Sequence, residues 1–174
     1  MTSFFYLSWL DDASVCVAEG SDDPERDRLL SGRDPVQVWS APRLVVESDE
    51  LVDYLPNNLG VRLCSRRMRD LIDANLGPRD SVQWLPAEVI DIFGAGHDYF
   101  VLHMPGDDDV LNESHSIFSG DFVVKPVIEA EKVRGRQMFR LPEAMLTALV
   151  TRELQAKLAD AAMTGVHFEA APTA

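Results

Sequence analysis

The chain has 174 residues, 46% of them hydrophobic, which suits one domain with a core that needs neither metal nor disulfide. Its 29 Asp and Glu against 16 Lys and Arg leave a formal net charge of −13, which repels nucleic acid and anionic lipid and attracts basic partners, although acidity also serves plain solubility. No apolar run approaches the roughly 20 residues needed to span a bilayer. Residues 1–9 lack the positive n-region of a signal peptide and meet Asp11-Asp12 at once. Cys16 and Cys64 lie far apart with no CxxC spacing; they read as small apolar residues in a reduced, cytoplasmic protein.

In chain order, residues 4–10 are rich in aromatics and predict a strand or a buried entry segment. Residues 19–35 are polar and full of breakers, hence a loop, with room for one helical turn at 25–30. Val36 to Trp39 alternates, Leu44 to Val46 is strand-like, and residues 49–55 suit a short helix packing Leu51, Val52 and Leu55. After a turn at 56–60 comes the segment on which the chain is organised, 63–86. Ser65 is placed to cap a helix by accepting a bond from a first-turn N–H. Met68, Leu71, Ile72 and Leu76 then recur at three- and four-residue steps and build one apolar face, Gly77-Pro78 stops the helix, and Val82 and Trp84 follow at strand spacing. Residues 88–93 and 99–104, joined by the glycine turn 94–98, predict a hairpin. Residues 105–109 turn, 121–128 is strand-like up to Pro126, and 137–141 alternates.

The organising segment is used twice. Leu149 to Leu158 parallels Leu63 to Ile72: Thr151 takes the cap position of Ser65, and Leu154 and Leu158 match Met68 and Ile72. Gly165-Val166-His167-Phe168 parallels Ser81-Val82-Gln83-Trp84, and the copies are too far apart for a solenoid. Propensity conflicts with the repeat, because residues 143–163 are rich enough in Ala and Leu for one long helix. The repeat asks instead for a strand at 147–150 and a helix from Thr151, and that reading is preferred. The expected fold is α+β, one domain over 1–174, with a mixed or mostly antiparallel sheet and the two equivalent units (63–86 and 149–168) packed on it.

Asp53-Tyr54-Leu55-Pro56-Asn57-Asn58-Leu59-Gly60, the 63–71 run, Val82-Gln83-Trp84-Leu85-Pro86, Met138-Phe139-Arg140-Leu141 and 151–168 together resemble immunity family eleven of bacterial polymorphic-toxin systems, formerly a domain of unknown function. The resemblance spans about 36–172, leaving an N-terminal strand and acidic loop at 1–35. The chain departs from the family pattern at Cys64 and Val150, where a longer β-run is usual, at Trp84 for Phe, and at Ala170 for Pro. The resemblance implies a small α+β protein that neutralises a cognate toxin by direct binding, with no catalytic residues to carry over.

Two alternatives have sequence features of their own. His97 and His103, at an even offset, would share a face of a straight strand, and with Asp98, Asp107, Asp108 or Asp109 could form a nitrogen–oxygen metal site of a small hydrolase. The competing reading is that His97-Asp98 and the aspartate run are turn residues. A non-catalytic structural or adaptor protein is the other alternative. Ser114-His115-Ser116 lacks a G-x-S-x-G elbow, and His167 belongs to the polar face of a strand. Gly94-Ala95-Gly96 is a turn rather than a dinucleotide fingerprint, so no cofactor is expected. Trp9, Trp39 and Trp84 read as core. The candidate toxin-binding residues are Asp107, Asp108, Asp109 and Glu113 in one acidic loop and Asp22, Asp23 and Glu25 in another, each suited to steering a cationic toxin.

Overall fold

The computed structural model describes residues 3–106, 109–142 and 147–174. The first half runs β1 (Phe4–Trp9), β2 (Glu19–Gly20), α1 (Pro24–Ser31), β3 (Arg43–Val45), β4 (Tyr54–Leu55), β5 (Leu63–Ser65), α2 (Arg66–Asp73), β6 (Gln83–Ile90) and β7 (Gly96–His103). The second half runs β8 (Ile117–Ser119), β9 (Phe122–Lys125), β10 (Met138–Arg140), β11 (Ala148–Thr151), α3 (Arg152–Asp160) and β12 (Val166–Ala171). The class is α+β and the pairing mostly antiparallel; β3 runs parallel to β6, and the isolated bridges Ala18–Asn57 and Ile128–Thr173 are parallel too. The strands divide between two principal sheets, ordered β2-β3-β6-β7-β5-β4 and β10-β11-β1-β12, with β8-β9 as a separate two-stranded ribbon.

Both copies of the repeat form as read. Ser65 Oγ accepts from Met68 N at 3.1 Å and Thr151 Oγ1 from Leu154 N at 3.2 Å, so each hydroxyl satisfies a first-turn donor that the helix leaves open. Tertiary pairing settles the Ala-rich conflict: Ala148 to Thr151 lies between β10 and β1, and α3 starts only at Arg152. Residues 143–146 of that lead-in lie outside the described residues. The likeness extends beyond the helices. Each capped strand is flanked by an antiparallel strand that precedes it and by a central strand, and the strand after the helix closes the other side. The orders β4-β5-β7-β6 and β10-β11-β1-β12 correspond position for position, with β1 standing where β7 does.

The helices share one core. Met68 and Ile72 of α2 and Leu154 and Leu158 of α3 are fully buried among Leu7, Cys64, Leu102, Met138 and Val150, drawn from both sheets. Burial of side chains this size stabilises by about 1.5–3 kcal/mol each. Alternation along the strands supplies two outer cores. Leu44, Leu63, Leu85, Val89 and Val101 face Val36, Leu59 and the half-buried Leu29 and Leu30 of α1, while Phe4, Phe139 and Leu149 face Val110, Leu111, Ile128 and Val133.

The turn after each helix reaches across to the other copy. Thr164, beyond α3, donates from N and Oγ1 to Asp53 Oδ2 at 3.0 and 3.1 Å, and its Oγ1 accepts from Asp53 N. Asp80, beyond α2, accepts from Gln137 N and Met138 N at 3.0 and 3.1 Å. Asp53 and Gln137 are themselves equivalent: the carbonyl of each takes the amide of the capping residue, Ser65 or Thr151, and the side chain of each takes its hydroxyl. The two units are therefore cross-tied rather than merely stacked.

Elsewhere the structure differs from the sequence reading. The 19–35 loop contains the helix α1: Asp23 Oδ1 accepts from Glu25 N and Arg26 N, Pro24 opens the first turn, and Arg26 buries its guanidinium against Ser21 O. Residues 49–53 form no helix, and Tyr54–Leu55 is an edge strand, because the backbone there is claimed by Thr164 and Ser65. Val36 to Trp39 is not a strand; Val36 N and O are clasped instead by the Gln83 side-chain amide, both at 2.8 Å. β6 runs unbroken through Pro86. The Pro86 nitrogen points to the same side as Glu88 N, beyond the start of β3, so no ladder bond is lost, and its carbonyl accepts from Trp39 Nε1. The predicted hairpin is β6–β7, with Asp91 Oδ1 tying the loop through Phe93 N and Ala95 N. α2 ends at Asp73, earlier than Gly77-Pro78, and Leu76 still packs on the shared core.

Candidate partner-binding surface

The acidic residues singled out from the sequence fall into two regions. Asp22 is exposed, but Asp23 is the α1 cap and Glu25 is paired with Arg28, whose hydrogen bond holds its carboxyl below the usual range. In the second region Asp109 pairs with Lys132 Nζ at 2.6 Å and raises its pKa, while Glu113 is exposed; Asp107 and Asp108 lie outside the described residues. The two regions belong to opposite outer layers, one with the helix α1 over the six-stranded sheet and one with the segment over the four-stranded sheet.

Beside Glu113 the structure shows something the sequence reading missed. β8 and β9 form a ribbon with Ile117, Phe118, Phe122 and Val124 exposed by 53, 44, 71 and 63%. Its loop is Gly120-Asp121, with Gly120 at φ +61°, the two-residue turn that takes glycine first because its twist suits the strands. Val123 is the ribbon's inward side chain, packing on the outer core. The root is held firmly: Ser116 Oγ donates to Val127 O and accepts from Val127 N, Asn112 N donates to Val127 O, and Leu111 bridges Ile128. The Ser-Gly-Asp-Phe turn was a usable signal; that its apolar residues stay uncovered was not, since alternation does not reveal whether a second layer exists.

The histidines do not converge. His97 and His103 share a face of β7, but six residues along a strand separates them by about 20 Å, far beyond one metal's coordination sphere. His97 Nε2 meets Asp91 Oδ2 at 2.8 Å in the hairpin loop, and hydrogen bonds from His97 and the loop amides hold the Asp91 carboxyl below its ordinary range. His103 is buried against Asp34 O at 3.0 Å. Among the described residues no group of three or more His, Cys, Asp and Glu is arranged to hold a metal. His115 Nδ1 contacts Asn112 Oδ1 at 2.9 Å and Ser116 binds the Val127 backbone, so the Ser-His-Ser run builds the ribbon's root. His167 is on the exposed side of the edge strand β12, as its alternation predicts. The three tryptophans pack on cores; Trp84 Nε1 donates to Asp73 at 3.2 Å.

Burial depresses the pKa of His103, and nearby Arg140 and Arg62 lower it further against the raising effect of the Asp34 carbonyl. Native His103 thus stays neutral where the unfolded chain, titrating near 6.5, takes up a proton. Its share of stability is complete above pH ~6.5 and is lost as pH falls toward the depressed native value. His103→Gln is expected to flatten the fall in Tm between pH 7 and pH 5; an unchanged slope would reject this role.

Capping, core and cross-tying residues account for the repeated units, and an apolar ribbon with acidic neighbours is left at the surface. Comparison with known families is specific. The immunity protein family Imm11 matches over residues 20–173, nearly the whole chain, and the protein belongs to that family. No curated protein matches the chain. No helix among the described residues is long and apolar enough to cross a membrane.

Proposed function

We propose that this protein neutralises a cognate bacterial toxin by binding it directly, one to one and without turnover. Family membership over residues 20–173 carries the reading. The charge of −13 supports a cationic toxin, attracted at long range and held by carboxylates. Of the acidic residues, Glu113, exposed beside the ribbon, is the preferred contact together with Asp107 and Asp108 of the same acidic stretch, while Asp109 is paired with Lys132 and Asp23 and Glu25 serve α1, so these three are secondary. Asp22 remains an accessory contact. The proposed compartment is the cytoplasm, which suits Cys64: its thiol is fully buried, its pKa is pushed up by that burial, and it is inert.

Co-expression with the polypeptide encoded by the adjacent upstream gene is expected to relieve that polypeptide's toxicity and to yield a 1:1 complex on size-exclusion chromatography. Toxicity without relief, and no complex, would reject the reading. Relief without a complex would point to catalytic inactivation, and a complex with a non-toxic partner to an adaptor.

A further inference from the structure

We infer that the β8–β9 ribbon is the anchor of the toxin interface: Phe122 and Val124, its most exposed apolar side chains, enter an apolar depression on a cationic partner while Glu113 and Asp121 face basic side chains at its rim. This rests on the toxin-binding reading and names the surface that performs it.

The ribbon's exposure has no explanation within the fold. A two-stranded ribbon standing alone is marginal in water, and exposed aromatic residues add a solubility burden. Here Phe122 stands out, with Val124 and Ile117 also exposed; Phe118, paired with Val123, lies on that residue's face of the ribbon, and Val123 and the Ser116–Val127 clasp fix the ribbon in place. Rigid aromatic groups presented on an ordered support lose little conformational freedom on docking, which is the character of interface hot spots. Among the described residues Phe93 is also exposed, in the β6–β7 loop next to the exposed Ile92.

Charge selects the occupant. A second copy would bring −13 against −13 and set Glu113 and Asp121 near their own equivalents, which opposes self-association. Across the ribbon the exposed charges are Glu113 and Asp121 against Lys125, so the apolar centre has a rim of net negative sign. A basic protein with an apolar depression satisfies both parts. The ribbon's bulge between Ile117 and Phe118 also interrupts its edge, as edges kept from pairing with like edges are interrupted.

The test uses the full chain and the purified product of the adjacent upstream gene. Phe122→Ser/Val124→Ser is expected to raise Kd by about 100-fold with Tm unchanged, since both side chains are more than half exposed. Glu113→Lys/Asp121→Lys is expected to slow association about tenfold and flatten its salt dependence. Should the serine pair disturb folding, Val124→Lys reads the same surface. Binding within threefold of wild type by a folded ribbon variant overturns the anchor and leaves the toxin-binding reading standing. A wild-type chain that does not bind overturns both. A wild-type dimer dissolved by the serine pair makes the ribbon a self-interface and also overturns the inference.

Discussion

Asp53→Ala is expected to lower the unfolding free energy by about 3 kcal/mol, the cost of breaking a buried, charge-assisted network. For a chain of this size that is a fall in Tm of roughly 6–12 °C. The side chain is 9% exposed and accepts from Ser65 Oγ at 2.6 Å, Arg67 Nη1 at 2.9 Å, Thr164 N at 3.0 Å and Thr164 Oγ1 at 3.1 Å. Removing it leaves the buried ends of both units with donors that water does not easily reach. Arg67 is half exposed, so its pairing supplies the smaller share. Asp53→Asn should fall between, because an amide of the same size still accepts from Ser65 but turns its NH2 toward the Thr164 donors. Urea and thermal unfolding of the three proteins check this, and equal midpoints would mean that the cross-tie does not hold the units together.

Gly165→Ala is expected to be at least as damaging, at about 3 kcal/mol or more, with loss of soluble protein as the practical readout. Gly165 has φ +75°, and an added Cβ would lie 2.5 Å from the Tyr54 carbonyl oxygen and 2.7 Å from Val52 Cγ2. The clash involves backbone and a β-branched neighbour, neither of which moves freely. Gly120 is the control: φ is +61° but nothing lies within 4 Å of the added carbon, so Gly120→Ala should cost only the left-handed strain, about 1 kcal/mol. Similar losses at both sites would show that crowding at Gly165 is not what matters.

The parts of this fold that are legible in the sequence are those whose signals are local. Ser65 and Thr151 announce their helices because a cap acts within three residues, and the β6–β7 hairpin is visible because its loop joins its own strands. α1 had a local signal in Asp23-Pro24, but its thin apolar contribution, Leu29 and Leu30, was outweighed by the polar residues around it. The short helix expected over 49–55 failed for a non-local reason, since Thr164 lies 111 residues from Asp53 in the chain. The division into two sheets has the same cause: β1 meets β11 and β12 near the other end of the chain, and no window of neighbouring residues contains that pairing. The surface was least legible. Phe118 and Phe122 have the same composition signature as Phe4 and Phe139, which stack edge-to-face at 5.3 Å in a core, and only the absence of a covering layer separates them.

The place of β1 bears on how such a molecule can be rearranged. Phe4 lies opposite Ala171 in antiparallel register, the relation that Gly96 has to Ile90 across the β6–β7 loop. A loop like 91–95 placed between Ala171 and Phe4 would make both units read in one order: flanking strand, capped strand, helix, strand, returning strand. The architecture is that of a ring of two like segments opened at one of its two hairpin bends, and a chain opened at the other bend would trace the same ring.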